Sequence, residues 1–199
     1  GILRLWEYRF IMNFPKVIGV SGVARSGKDT FCEIALAYFS QWSILGSREA
    51  FADELKKDLD QFLIEKFNIS SFTTDDEEKK VIRPIMVSYG EAKRDLTKGM
   101  CWIDKLKKNI EKNINQNIIT FISDVRYPNE SNWIKKDYNG ITIHISRENN
   151  LPANEEEARN DPLVQDISDF KVKWPNFEND IKLANPYVFE TLQKISRPT

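Results

Sequence analysis

Two hydrophobic rhythms alternate along this chain. Val17-Ile18-Gly19-Val20-Ser21 is a short β-branched run and reads as a strand. From Lys28 onward, apolar residues fall at Phe31, Ile34, Ala35, Tyr38, Phe39 and Trp42, one face of a helix. Gly46 ends that helix or begins the next turn. Glu49-Ala50-Phe51-Ala52 reads as a short second strand, with Asp53 at its C-terminal end. Leu55, Leu59, Phe62, Leu63 and Phe67 form another helical stripe. Thr74-Asp75-Asp76-Glu77 has the form of a capping box, with Thr74 as N-cap and Glu77 three residues on. Pro84 is expected to break this segment and open a new helix at its first turn, and Gly90 to interrupt or kink it.

The second half continues the alternation. Trp102, Ile103, Leu106, Ile110 and Ile114 mark a helical face whose outer side, rich in lysine and asparagine, is solvated. Ile118-Ile119-Thr120-Phe121-Ile122 is nearly all apolar and suits a strand buried on both faces, with Asp124 just after it. Asn139-Gly140 signals a turn before a further strand, Ile141 to Ile145, ending near Arg147. Asn149 to Pro162 is polar and acidic and reads as a mobile excursion. Asn185-Pro186 fits an N-cap and first-turn proline, opening a last helix through Val188, Leu192 and Ile195. Strands alternating with helices predict an α/β fold, a parallel sheet flanked by helices on both faces.

Composition narrows the picture. A chain of 199 residues, 41% of them hydrophobic, suits one domain with a sizeable core. The formal net charge of -1 argues against general nucleic-acid binding, which needs a basic face. No apolar stretch reaches the length of a membrane span. The two cysteines, Cys32 and Cys101, lack metal-ligand spacing and read as buried thiols of a reducing compartment, the cytoplasm. His144 stands in an apolar alternating run and reads as structural. Residues 1–11 precede Met12 and read either as an upstream extension or as an added edge strand.

The chemistry concentrates after the first strand, in Gly22-Val23-Ala24-Arg25-Ser26-Gly27-Lys28-Asp29-Thr30. Strand, glycine-rich loop with lysine, then helix is the layout of a phosphate-binding P-loop. Glycines let the backbone curl so that successive N–H groups point at an anion, and the helix N-terminus adds unpaired donors. Lys28 places a full charge where terminal phosphates of a bound nucleotide lie. Asp29 stands where a magnesium-binding serine or threonine is usual. Either its carboxylate orders magnesium through a water or Thr30 serves the ion, and both readings stay open.

In an open α/β sheet, ligands bind beyond the C-terminal ends of the strands. Asp53, Asp124, Arg126 and Arg147 are expected there beside the loop. Asp124, after an apolar strand, suits a metal-holding aspartate. Arg126 and Arg147 suit phosphate, because guanidinium groups stabilise charge on a phosphoryl group in flight. Arg83, Arg94 and Trp102 offer charge and an aromatic plate for a second substrate. For Arg94 a salt bridge with Glu91 or Asp95 competes, and for Trp102 a place in the core does.

Several of these patterns coincide in one family. The chain resembles the bacteriophage-type deoxynucleoside monophosphate kinases, a branch of the P-loop nucleotide kinases. The likeness rests on Ile18 to Gly22, Ala24-Arg25-Ser26-Gly27-Lys28-Asp29-Thr30, Phe51-Ala52-Asp53 with Leu55-Lys56, and Arg83-Pro84-Ile85-Met86. Tyr89-Gly90, Arg94, Trp102 and Asp124-Val125-Arg126-Tyr127-Pro128-Asn129-Glu130 complete it. The resemblance implies transfer of the γ-phosphate of ATP to a deoxynucleoside 5′-monophosphate with magnesium. It implies a single kinase domain over 12–199, with a substrate-binding helical region at about 54–117 and a lid at about 147–165. Lys28 would hold the donor's phosphates. Asp53, Lys56, Arg83, Arg94 and Trp102 would line the acceptor site, Arg126 would bridge toward the transferred group, and Arg147 would close the lid or contact the donor. A homodimer in the cytoplasm, that of the host for a phage-encoded chain, is implied as well. Asn154-Glu155-Glu156-Glu157 and Asn185-Pro186-Tyr187 depart from the family's usual C-terminal pattern.

Two further classes of function compete. One is a P-loop kinase of another small acceptor, such as dephospho-coenzyme A or a modified nucleotide or base. The other is a nucleotide sensor without catalysis, which binds ATP and releases no ADP when acceptors are added.

Overall fold

The computed structural model describes residues 13–196. The residues read as an N-terminal extension or edge strand therefore lie outside the described ones. The described residues fall into two compact units, residues 49–109 and the remainder.

The larger unit is built on a five-stranded parallel sheet. Its strands are β1 (Val17–Ser21), β2 (Gly46–Glu49), β3 (Ile119–Val125), β4 (Ile141–Arg147) and β5 (Phe170–Trp174), in the order β2-β3-β1-β4-β5. Every residue of β1 is buried, and β3 and β4 are buried over most of their length, as apolar runs in a covered parallel sheet should be. Helices α1 (Lys28–Gln41) and α7 (Asn185–Ile195) pack together on one face, while α5 (Pro128–Tyr138) and α6 (Glu155–Asp166) lie on the other. Phe31, Phe39, Phe121, Ile143, Trp174 and Leu192 belong to the core between the first pair and the sheet. Ser21 pairs with Val125 on one side and with His144 on the other. The chain after β1, the end of β3 and the end of β4 therefore leave the sheet at one edge.

The smaller unit holds α2 (Phe51–Phe67), α3 (Asp76–Thr97) and most of α4 (Cys101–Asn115). Leu59, Leu63 and Ile82 form its buried centre, with Leu55, Ile85, Met86 and Tyr89 packed around them.

Several boundaries differ from the sequence reading. The second strand lies at Gly46–Glu49, and Phe51, Ala52 and Asp53 form the first turn of α2. The apolar spacing already favoured this: Phe51, Leu55, Leu59 and Leu63 repeat every four residues, and acids in a first turn suit the positive end of the helix dipole. Phe62 and Phe67, counted in that stripe, are exposed. Asp75, not Thr74, caps α3, its Oδ1 accepting from the N–H of Glu78 at 2.9 Å. Helix α3 runs unbroken through Pro84 and Gly90. Pro84 and Lys80, whose carbonyl loses its helical partner, are exposed, and a freed carbonyl on a solvent-facing side costs little. At Gly90 a side chain would meet Leu55 at 2.8 Å, so glycine there allows close approach of α2.

The supposed excursion at 149–162 contains the start of α6. Asn154 caps it, and Glu155, Glu156 and Glu157 fill its first turn, while Val164 is buried. In Asn185-Pro186, the cap falls one residue earlier, on Ala184. Strand β5 escaped the sequence reading, although Phe170-Lys171-Val172-Lys173-Trp174 alternates cleanly and buries Val172 and Trp174. Among the described residues, no helix is long and apolar enough to cross a membrane.

Only one of the two thiols is deeply buried: Cys32 lies in the core, whereas Cys101 is half-buried. Burial pushes the Cys32 thiol up to about 12. Between pH 9 and 12 the unfolded chain loses this proton while the folded chain keeps it, so the stabilisation declines as pH rises through that window. Denaturation against pH should show this alkaline decline reduced in Cys32→Ala. A thiol reagent should modify Cys101 well before Cys32 in the native protein, and both at once in denaturant.

Candidate nucleotide-binding site

The loop after β1 adopts the conformations that its glycines permit. Gly22 has φ of 145° and Gly27 of 100°, and Arg25 between them is left-handed at 63°. The turn is tied by the N–H of Ser26 to the carbonyl of Val23 at 3.1 Å, and α1 starts at Lys28 immediately after Gly27. A side chain on Gly22 would stand 2.3 Å from the carbonyl oxygen of Ile145, and one on Gly27 would stand 2.6 Å from the Trp174 ring. Gly22→Ala should therefore lower the thermal midpoint, costing about 3 kcal/mol from clash and strain. A calorimetric scan checks this.

Trp174, at the end of β5, supports the loop from below. Its indole N–H donates to the Ser26 carbonyl at 2.8 Å, and its ring is 1% exposed. Phe177 and Tyr187 pack edge-on against that ring. The Ser26 hydroxyl is buried and has no hydrogen-bond partner among the described residues.

Lys28 Nζ folds back over the loop, donating to the carbonyls of Gly22 at 2.7 Å and Val23 at 3.0 Å. Its pKa is lowered, first by burial and then by the Arg126 charge, while Glu157, Asp124 and Asp29 pull it back up. These charges thus share one electrostatic neighbourhood around the amine. Asp124 is 8% exposed near the end of β3. Arg126 follows it with an exposed side chain. Arg147, at the end of β4, brings its Nη2 to 3.2 Å from the position a Gly27 side chain would take, and its buried Nε has no hydrogen-bond partner among the described residues.

The two metal candidates on α1 differ. Asp29 is 73% exposed and pairs with Arg48 of β2 at 3.3 Å. Thr30 is half-buried. Among the described residues, no three acids, histidines or cysteines cluster as a metal site.

The predicted donor-side residues therefore come together at one sheet edge: Gly22 to Thr30, Asp124, Arg126 and Arg147. The residues expected on the acceptor side belong to the smaller unit. Asp53 lies in the first turn of α2 rather than at a strand end. Lys56 Nζ stands 5.9 Å over the Phe72 ring, and Arg83 is exposed on α3. Arg94 is half-buried on the same helix. Trp102 is 7% exposed, with the Tyr89 ring at 6.2 Å and Lys105 Nζ 5.5 Å over its face.

Sequence reasoning gave no role to Glu130. This carboxylate, 3% exposed, accepts from the N–H groups of Arg126 at 2.8 Å and Tyr127 at 3.0 Å. It thereby sets the backbone that carries Arg126. The signal was present: Pro128 at the first helical position with glutamate two residues later marks a helix start. Glu157 and Asn150, which also touch the loop, carried no such signal.

No protein-family model matches the sequence, and no curated protein matches it. Solved structures do. The chain is similar to dephospho-CoA kinase from Campylobacter jejuni, with a TM-score of 0.53 and 19% identity over 91% of this chain and 97% of that one. It is also similar to shikimate kinase from Aquifex aeolicus, with a TM-score of 0.43 and 16% identity over 89% and 96%. The likeness to the dephospho-CoA kinase is one of fold, and the three-layer α/β fold described above is the fold of that P-loop kinase.

Proposed function

We propose that the protein is an ATP-dependent phosphotransferase whose acceptor is a deoxynucleoside 5′-monophosphate. One observation carries the phosphoryl-transfer reading. A glycine loop with positive-φ turns, Lys28, Asp124, Arg126 and Arg147 meet at a single edge of a parallel sheet. Three cations and a helix N-terminus converging on curled backbone suit a polyphosphate. The choice of acceptor rests on the sequence resemblance, and the fold likeness is compatible with it.

In this reading Lys28 turns from its loop carbonyls to the donor's phosphates. Arg126 and Arg147 balance charge on the group in flight. The acceptor phosphate is already ionised, so alignment and charge neutralisation suffice without a strong base. Asp53, Lys56, Arg83, Arg94 and Trp102 would bind the acceptor, and the lid implied for 147–165 would be its stretch from Asn150 to Glu157, which lies on the glycine loop.

Magnesium fits the oxygen donors present. It binds through one or two carboxylates and completes its shell with water and phosphate. A buried Asp124, with Asp29 or Thr30 nearby in sequence to Lys28, would hold it. When bound, magnesium neutralises and orients the phosphate oxygens.

ADP release with ATP and magnesium, measured against dNMPs, NMPs and dephospho-coenzyme A, tests the proposal. Turnover with one or more dNMPs is expected. Turnover with dephospho-coenzyme A alone would overturn the acceptor and keep the phosphotransferase. ATP binding without any acceptor-dependent turnover would leave a sensor. A homodimer, which the resemblance implies, would appear as twice the chain mass in sedimentation.

A further inference from the structure

The loop already holds an anion of the protein's own. Helix α6 presents its acidic first turn to it, and the Glu157 carboxylate accepts the N–H of Ala24, within the glycine loop. Asn150, just upstream, donates to the Ala24 carbonyl at 2.9 Å. One segment therefore engages both backbone groups of Ala24. Glu157 is also the largest of the carboxylate influences that favour charge on Lys28, ahead of Asp124 and Asp29.

Other contacts fix the rest of the helix. The Tyr127 hydroxyl donates to Glu156. Asp161 Oδ1 lies 3.0 Å from Nε2 of His144, a residue of β4 that is 2% exposed. The carboxylate of Glu157 is thus held at the loop by a helix anchored to the sheet.

Taking the loop as a phosphate cradle, as proposed above, we infer that Glu157 is a built-in competitor of the nucleotide's terminal phosphate. A carboxylate and a phosphate are both acceptors and both negative. They compete for the same loop donors and repel each other beside Lys28. Nucleotide entry then requires Glu157 to release Ala24, while the Asp161–His144 contact keeps the later turns of α6 on the sheet. The Glu157–Ala24 contact occupies the loop until a polyphosphate of sufficient charge displaces it. This inference rests on the phosphate-site reading and adds a gate to it.

Calorimetric titration of the full chain with ATP, inorganic tripolyphosphate and adenosine tests the gate in wild type, Glu157→Gln and Glu157→Ala. Glutamine keeps an acceptor for Ala24 and removes only the charge, so it separates repulsion from loss of support. Both variants should bind ATP and tripolyphosphate about tenfold more tightly than wild type. The gap should narrow as salt rises, and adenosine binding should not change. Equal or weaker phosphate binding in Glu157→Gln would overturn the competitor and make Glu157 a strut of the loop, leaving the phosphate site intact. Failure of either phosphate compound to bind any of the three proteins would overturn the phosphate site and the gate together.

Discussion

Lys28→Ala should reduce ATP-dependent phosphoryl transfer on the order of a thousandfold while leaving the protein folded. The amine is held over the glycine loop by hydrogen bonds to the carbonyls of Gly22 and Val23. Burial and Arg126 already press it toward the neutral form, and three carboxylates oppose them. An incoming polyphosphate would supply the negative charge that such an amine favours. Its removal would leave the donor's phosphates without the cation proposed to hold them. The fold should survive, because the lost contacts are two hydrogen bonds at a loop and the core around Phe31 and Phe39 is untouched. Steady-state kinetics with circular dichroism on the same sample checks both halves. Retained turnover would remove Lys28 from the chemistry.

Arg126→Ala should lower kcat on the order of a hundredfold or more. Arg126→Lys should recover only part of it, since an ammonium cannot reproduce a planar fork on phosphate. The guanidinium is exposed, yet the backbone beneath it is fixed by the buried Glu130 carboxylate. Glu130→Ala should therefore reproduce part of the Arg126 loss through kcat. It should also destabilise the fold by about 2 kcal/mol, because two N–H groups lose their acceptor. Kinetics and thermal unfolding on the three variants separate the roles. A Glu130→Ala variant that loses stability and keeps full kcat would show that Arg126 needs no such support.

The parts of this molecule that were legible in its sequence share a physical cause. Strands β1, β3 and β4 are buried on both faces and so appear as apolar runs, and the loop after β1 needs glycine at 22 and 27, where φ is positive and a side chain would clash. Those features also place Asp124, Arg126 and Arg147 at one edge, since parallel pairing brings the three strand ends together. What was misread depends on context. Asp53 looked like a strand end because Ala50, Phe51 and Ala52 are apolar, but the four-residue spacing onward to Leu63 favours helix. Pro84 looked like a break, but its exposed side of α3 tolerates the lost hydrogen bond.

The loop's supports were hidden for a different reason. Trp174 meets Ser26 across a sequence separation of 148 residues, and Glu157 meets Ala24 across 133. Nothing local marks such pairs. Strand β5 had a local signal, the alternation of lysine with Phe170, Val172 and Trp174, and its half-exposed edge position explains why it lacks the apolar run of the central strands. The charges of Lys171 and Lys173 suit an edge that must not pair with another chain.

The most direct measurement is to follow a label from γ-labelled ATP in the presence of magnesium and each deoxynucleoside monophosphate in turn, with Lys28→Ala as control. Label is expected in a deoxynucleoside diphosphate, formed by the wild type and not by the control. Label released only as inorganic phosphate, or remaining in ATP with every acceptor, would contradict phosphoryl transfer to a nucleotide.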